Sequence, residues 1–293
     1  MSFLLFSDEW ARRHRRNKRH AEIVRIVKEI SSLHRPPHLG TIRPLILEYG
    51  CGNGFQIPYL QAIGDVVATD IYTSDEIRRM PQKTFCESSI TALPFGDRTF
   101  DIIFSNHVVE HLPDPAGAFA ELRRVAQPGC LFAFSVPTNY WLLLALPSKY
   151  LGKLATLTSM LAGKLILSST ENDQPSSDVA VRMARESDLR NHKPHMTRWL
   201  QFMLPKGHGV YDVFSECYKA FRIGAWHEFF LQNGFSVEKV VPLLLYGPSE
   251  FPVIPTTERL IDKGICSSVL FLMTAGADAL VSAEAAVERN KSI

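Results

Sequence analysis

Residues 45–54 read Leu-Ile-Leu-Glu-Tyr-Gly-Cys-Gly-Asn-Gly. An apolar run ends in Glu48. Glycines then alternate at Gly50, Gly52 and Gly54, and Phe-Gln-Ile-Pro-Tyr-Leu opens a helix. A strand that feeds a glycine turn and then a helix sets bare backbone N–H groups beside a ligand. The spacing narrows the choice of ligand. A dinucleotide fingerprint needs Gly-x-Gly-x-x-Gly. Counted from Gly50 the third glycine falls on Phe55, and counted from Gly52 it falls on Ile57. The pattern fails in both registers, which weakens an NAD-dependent oxidoreductase reading. The absence of a Tyr-x-x-x-Lys pair after the fifth strand weakens it again.

Outward from this turn the chain alternates strand and helix. Strands are expected at 44–49, 66–71, 83–87, 100–105 and 130–136, with the clearest helix at 115–127. Such alternation predicts a parallel sheet with helices on both faces, binding ligands beyond the carboxyl ends of its strands. The pattern breaks near 138. Leu151, Leu154, Thr158, Leu161 and Leu165 share one side of a helical wheel, and Lys149, Lys153 and Lys164 share the other. That makes 149–165 an amphipathic helix, suited to packing on the sheet or to peripheral membrane contact. Residues 170–195 are polar. A helix near 221–232 and strands at 235–246 and 267–273 close the pattern. The division expected is an N-terminal helical flap (1–40), a core (41–137 and 221–276), an inserted substrate lid (138–220) and a tail (277–293).

Composition sets the class. The 293 residues are 46% apolar and 21% charged with a net charge of +2, ordinary for a soluble globular protein and against a dedicated nucleic-acid binder. The five cysteines form no Cys-x-x-Cys pair, which argues against a disulfide framework or a cysteine zinc site and fits a cytoplasmic protein. The apolar N-terminus precedes its basic cluster instead of following it, unlike a signal peptide. Residues 8–33 read as a helix whose Ile23, Ile26, Val27 and Ile30 face a core. Its first half carries Arg12, Arg13, Arg15, Arg16, Lys18 and Arg19, a solvated face over the cleft or a contact with phosphate or an anionic membrane.

Asp70 ends the second strand, 20 residues after Gly50, the distance at which a carboxylate meets ribose hydroxyls in nucleotide-binding βαβ units. Further on, Leu93-Pro-Phe precedes Phe100-Asp-Ile-Ile and Glu110-His-Leu-Pro-Asp-Pro. Glu48-x-Gly-x-Gly-x-Gly followed by these blocks resembles class I S-adenosylmethionine-dependent methyltransferases, in their small-molecule branch called type 11. The resemblance is strong over 44–137 and loose over 221–275.

The resemblance implies an α/β fold, a Rossmann-like doubly wound seven-stranded sheet with its last strand antiparallel. Here it would carry the N-terminal helix and an inserted helical lid. S-adenosyl-L-methionine is the implied cofactor. Its implied binding residues are Glu48, Gly50, Cys51, Gly52, Gly54, Asp70, Ile71, Ser89, Ile90 and Asn106. Ser89 is a departure, because the family places Asp there to hold the adenine amino group, and Glu87 is an alternative if the loop shifts.

The implied reaction is methyl transfer to a hydroxyl or similar nucleophile of a small molecule, glycan or lipid-linked intermediate. A non-catalytic cofactor-binding scaffold is the alternative from another class. Transfer from a sulfonium mainly needs alignment, and a hydroxyl acceptor also needs a base, for which His is suited near neutral pH. The candidates are His107, His111, His192, His195 and His208, with His107, directly after Asn106, and His208, between two glycines, preferred. His107, Glu110 and His111 would share one helical face. Some family branches bind magnesium through Glu-x-x-Glu-His at this point. His107 in place of the first Glu is a worse ligand for a hard cation, so no metal is expected.

Overall fold

The centre of the sheet is apolar on both sides of each strand because helices cover both faces. In the computed structural model the described residues are 8–33, 43–79, 85–144, 146, 150, 207–243 and 257–276. Strands β1 (Leu45–Tyr49), β2 (Asp65–Asp70), β3 (Phe85–Glu87), β4 (Phe100–Asn106), β5 (Ala126–Pro137), β6 (Phe235–Pro242) and β7 (Ser268–Ala275) form one sheet. Their order is β3-β2-β1-β4-β5-β7-β6. The first five are parallel, and β7 runs antiparallel to both β5 and β6. This is the seven-stranded, doubly wound arrangement expected from the sequence.

Period-two alternation divides the core. Ile46, Phe104, Leu131, Ala133, Leu270 and Leu272 point to one face, where Ile23, Ile26 and Ile30 of α1 (Asp8–Leu33) pack on them. Phe132, Phe134 and Phe271 point to the other. There they meet Phe119 and Leu122 of α4 (Pro115–Val125) and Trp226 and Phe230 of α6 (Ile223–Gln232). Two one-turn helices, α2 (Ile57–Leu60) and α3 (Asp75–Arg78), follow β1 and β2. Arg124 of α4 donates to the carbonyls of Leu93 and Phe95 and to Asp97, fixing the Leu-Pro-Phe loop to the scaffold.

Three boundaries differ from expectation. Strand β5 begins at Ala126, not 130, because Ala126 already pairs with Phe100, ahead of a register irregularity that takes in Pro128 and Gly129, the latter at φ +79°. Helix α4 ends at Val125 for the same reason. The helix expected at 221–232 is α6 alone, preceded by a separate α5 (Phe214–Ala220) and a break at Phe221–Arg222.

The segment 138–220 leaves and returns beside itself. The N–H of Asn139 donates to the carbonyl of Phe221 at 2.9 Å. Cys217 and Phe221 are fully buried in the cluster that holds Phe134 and Phe230, so the returning part of the segment belongs to the main core. Trp141, Tyr211, Phe214 and Tyr218 pack against the same cluster. The amphipathic stretch 149–165, apart from Tyr150, lies outside the described residues, as do Trp199, Phe202, His192 and His195. Among the described residues no helix is long and apolar enough to cross a membrane.

Candidate functional site

The registers Tyr49↔Thr69, Asp70↔Glu87 and Asn106↔Ser135 bring the carboxyl ends of β1 to β5 to one edge. The strand order reverses between β1 and β4, and the crevice there is where open α/β sheets bind ligands. Gly50, Asp70 and His107 all emerge at that edge.

Gly50 opens the turn with φ +70°, in the left-handed region. A Cβ on it would lie 2.3 Å from Cγ2 of Val108, so the close approach of two loops also demands glycine. The Gly50 and Cys51 N–H groups donate to the carbonyl of Thr69 at 2.7 and 3.1 Å. The Gly52 N–H donates to Oδ2 of Asp70 at 2.8 Å, and the Tyr72 N–H to Oδ1 at 3.2 Å. A carboxylate offers about four acceptor sites, so two remain for a ligand. Ile71 and Tyr72 beside it are 58% and 74% exposed, a bare apolar surface at the rim.

Glu48 sits directly beneath the turn with no exposed surface, and neither carboxylate oxygen has a hydrogen-bond partner. Burial first, and then the charge of Asp70, push its pKa up to about 8. A buried carboxyl without partners is costly and is matched by a cation delivered to it. The Cys51 thiol is pushed up to about 12 by burial and then by the charges of Glu48 and Asp70, so it is no nucleophile at neutral pH.

Asn106 lies 7 residues along β4 and its Nδ2 donates to Oε1 of Gln56 at 2.8 Å, leaving its own buried Oδ1 without a partner. Gln56, 7% exposed, is a site residue that sequence reasoning missed. Its only signal was a polar side chain in the first turn after the glycines. Ser89 is spent locally. Its Oγ pairs with Oγ1 of Thr91 at 2.9 Å and accepts from the Thr91 N–H at 3.3 Å. Ile90 is half-buried against the core. Glu87 is exposed and accepts from Thr73.

His107 follows β4 with φ +58°, and its N–H donates to the carbonyl of Ser135 at 2.9 Å. The chain then enters a short 3₁₀ turn, Val109–His111. His107, Glu110 and His111 therefore do not lie on one continuous helix as expected. They are nonetheless gathered, because Nδ1 of His107 is 3.3 Å and Nε2 of His111 4.0 Å from Oε1 of Glu110. Burial alone would push the His107 pKa down. Glu110, through its hydrogen-bonding contact and its charge, and Glu22 of α1 outweigh that burial and the opposing charge of Arg19, so the pKa ends raised. His107 Nε2 is buried without a hydrogen bond.

His208 arrives from the insertion. The Val210 N–H donates to the carbonyl of Glu110 at 3.1 Å. Gly209, at φ +64°, rests against that same carbonyl, where a Cβ would come within 2.1 Å of the oxygen. The His208 ring lies 4.9 Å from that of His111 and 4.6 Å from that of Trp141. On the opposite wall, Arg19 of α1 stacks over Phe55 at 4.8 Å, and His20 Nδ1 meets the Tyr59 hydroxyl at 2.6 Å. The side chains of Arg12, Arg13 and Arg15 lie outside the described residues.

Residues 47–134 match the family model described as "Methyltransferase domain". Curated relatives match over the same kind of length. An uncharacterised methyltransferase of Schizosaccharomyces pombe is 34% identical over 101 residues, 29% of this chain and 36% of that protein. A demethylmenaquinone methyltransferase of Renibacterium salmoninarum is 35% identical over 100 residues, 32% and 42% of the two chains. A malonyl-[acyl-carrier protein] O-methyltransferase of Erwinia billingiae is 34% identical over 94 residues, 31% and 38%. The chain thus spans well under half the length of these relatives.

Proposed function

We propose, from the premise that residues 47–134 are a class I methyltransferase domain of the type 11 branch, that the chain is an S-adenosylmethionine-dependent methyltransferase. Its acceptor is a hydroxyl or similar nucleophile of a small molecule, glycan or lipid-linked intermediate. The observation that carries this reading is the buried, unpartnered carboxyl of Glu48 under the glycine turn, with Asp70 beside it at the reversal of the strand order.

S-adenosylmethionine, when bound, supplies an activated methyl group on a sulfonium whose departure leaves a neutral thioether. Glu48 meets the amino-acid ammonium and repays its own burial with an ion pair. Asp70 takes the ribose hydroxyls on its two free acceptor sites. The N–H groups of Gly50, Cys51, Gly52 and Gly54 are bonded within the protein, so the glycine turn contributes shape and not donors, and the amide of Asn106 lines the amino-acid end, with Gln56 orienting it. Ser89 and Ile90 flank the adenine. Holding donor and acceptor in line is worth more here than covalent chemistry. His107 takes the acceptor's proton at Nε2, and Glu110 behind Nδ1 fixes the ring.

Two of the relatives named above act, by their names, on different acceptors, and each matches only about a third of this chain. That supports a donor half in 47–134 and an acceptor half built from 138–220. The test is calorimetric titration of the full chain with S-adenosylmethionine and S-adenosylhomocysteine, followed by incubation with a labelled methyl donor and a panel of hydroxylated acceptors. Binding with turnover on one acceptor class supports the reading. Binding without any turnover favours a scaffold, and no binding removes the donor assignment.

A further inference from the structure

Beyond this reading, the geometry points to a divalent metal site of the zinc type formed by Glu110, His111 and His208, with an open coordination position towards the cleft. One potential ligand atom from each residue lies within 4.8 Å of the other two. A four-coordinate zinc with bonds of about 2.1 Å holds its ligands roughly 3.4 Å apart, so the cluster needs a closure of order 1 Å. Two side-chain rotations supply that, since His111 is half exposed and His208 partly so.

Three independent features favour an ion. Glu110 is 1% exposed, and its carboxylate has no well-formed hydrogen bond, its nearest polar neighbour being Nδ1 of His107 at 3.3 Å. A carboxylate so placed calls for a cation within reach. Second, His208 is brought in by construction. The Val210–Glu110 backbone bond and the glycine at 209 clamp its loop onto the very turn that holds Glu110 and His111. Trp141 then backs the ring at 4.6 Å, and Cys217 Sγ donates to the His208 carbonyl at 3.7 Å. Third, His107 Nδ1 at 3.3 Å supports Glu110 from behind, as partners of metal-ligating carboxylates do.

The ligand set chooses the metal. Two imidazoles and one carboxylate suit zinc or a similar borderline ion, and magnesium wants oxygen ligands in an octahedron. The third ligand comes from a residue nearly a hundred positions away, so the His-x-x-Glu-His spacing alone does not announce it. In the proposed enzyme, to which this inference adds, the open position takes water or an oxygen of the acceptor.

The experiment uses the full chain with any affinity tag removed, stripped by dialysis against chelator. Zinc chloride and magnesium chloride are titrated separately by calorimetry, and cobalt chloride by visible absorption. Wild type, His111→Ala, His208→Ala and the double variant are compared, each checked by circular dichroism. The expected result is one zinc per wild-type chain, at least about tenfold weaker binding in each single variant, weak or no magnesium binding, and a four- or five-coordinate cobalt spectrum. No zinc binding by wild type overturns the proposal, and this arm needs no variant to fold. Equal zinc binding by wild type and the folded double variant, or magnesium binding that matches zinc, also overturns it. S-adenosylmethionine is titrated on the zinc-free and zinc-loaded chain. Loss of that binding alone counts against the donor assignment and leaves the metal site standing.

Discussion

Oδ2 of Asp70 accepts the Gly52 N–H at 2.8 Å, so the acid that ends β2 is tied to the middle of the glycine turn. One side chain thereby shapes the turn and offers its remaining acceptor sites to a ligand. Asp70→Ala removes both roles. The expected outcome is a loss of about 1–3 kcal/mol in S-adenosylmethionine affinity, through charge-assisted hydrogen bonds. Asp70→Asn keeps one acceptor oxygen and is expected to fall between. Unchanged affinity by calorimetry in the Ala variant would remove the ribose assignment.

Gly50 is held by both its backbone angle and its neighbour. Gly50→Ala is expected to destabilise the fold by about 1–3 kcal/mol, from the left-handed φ and the collision with Val108. Combining it with Val108→Ala relieves the collision only, so urea melts of the double variant should show less than the sum of the single losses. Simple additivity would mean that the two loops do not meet as described.

Glu48 predicts a pH signature. Its pKa rises from an ordinary 4.5 to about 8 in the fold, so the unfolded chain sheds this proton first. Between those two values the folded state holds the extra proton, and stability attributable to Glu48 falls as pH rises, levelling off above about 8. His107, also raised, contributes a slope of the same sign, so the wild type must be compared with Glu48→Gln. The variant should gain on wild type from pH 5 to pH 8 in urea melts. Conversely, its affinity for S-adenosylmethionine should be lower and lack the rise that wild type shows between pH 6 and 7.5. A variant that binds as tightly as wild type across that range would exclude the ammonium contact.

His107→Asn tests the base. Asparagine tolerates the left-handed φ better than most residues, so the fold should survive. The expected result is a fall in kcat of about 10²–10⁴ with donor affinity within about threefold of wild type. An equal loss in donor binding would show that His107 acts only by shaping the cleft.

The parts of the site legible in the sequence are those where partners lie close along the chain. Glu48, the three glycines and Asp70 belong to one βαβ unit, and the turn chemistry of glycine is written in its spacing. Strand β5 was readable as apolar, but its first residues pass through Pro128-Gly129, which reads as a loop, and only the pairing of Ala126 with Phe100 across the irregularity carries the strand back that far. His107 could not be seen in a left-handed conformation, because nothing in a non-glycine residue announces a positive φ. Gln56 and Asn106 are 50 positions apart, and His208 and Glu110 farther still. Such pairings are decided by how the sheet edge is assembled. The local contact of Ser89 was hidden for a smaller reason. Its hydroxyl found a neighbour two residues away in Thr91 before any ligand came into question.

The bond from Asn139 N–H to the Phe221 carbonyl has a consequence for how this chain can change. The exit and re-entry points of the intervening stretch are stitched together by the core. Because its two ends are held to each other, a change of length between them need not move β5 or α6. Exchange of the whole stretch between lineages would disturb the core, because Leu142 and Cys217 are buried in it. Variation is therefore expected to concentrate between the two anchored ends, with those residues and the contact of Gly209 on Glu110 kept.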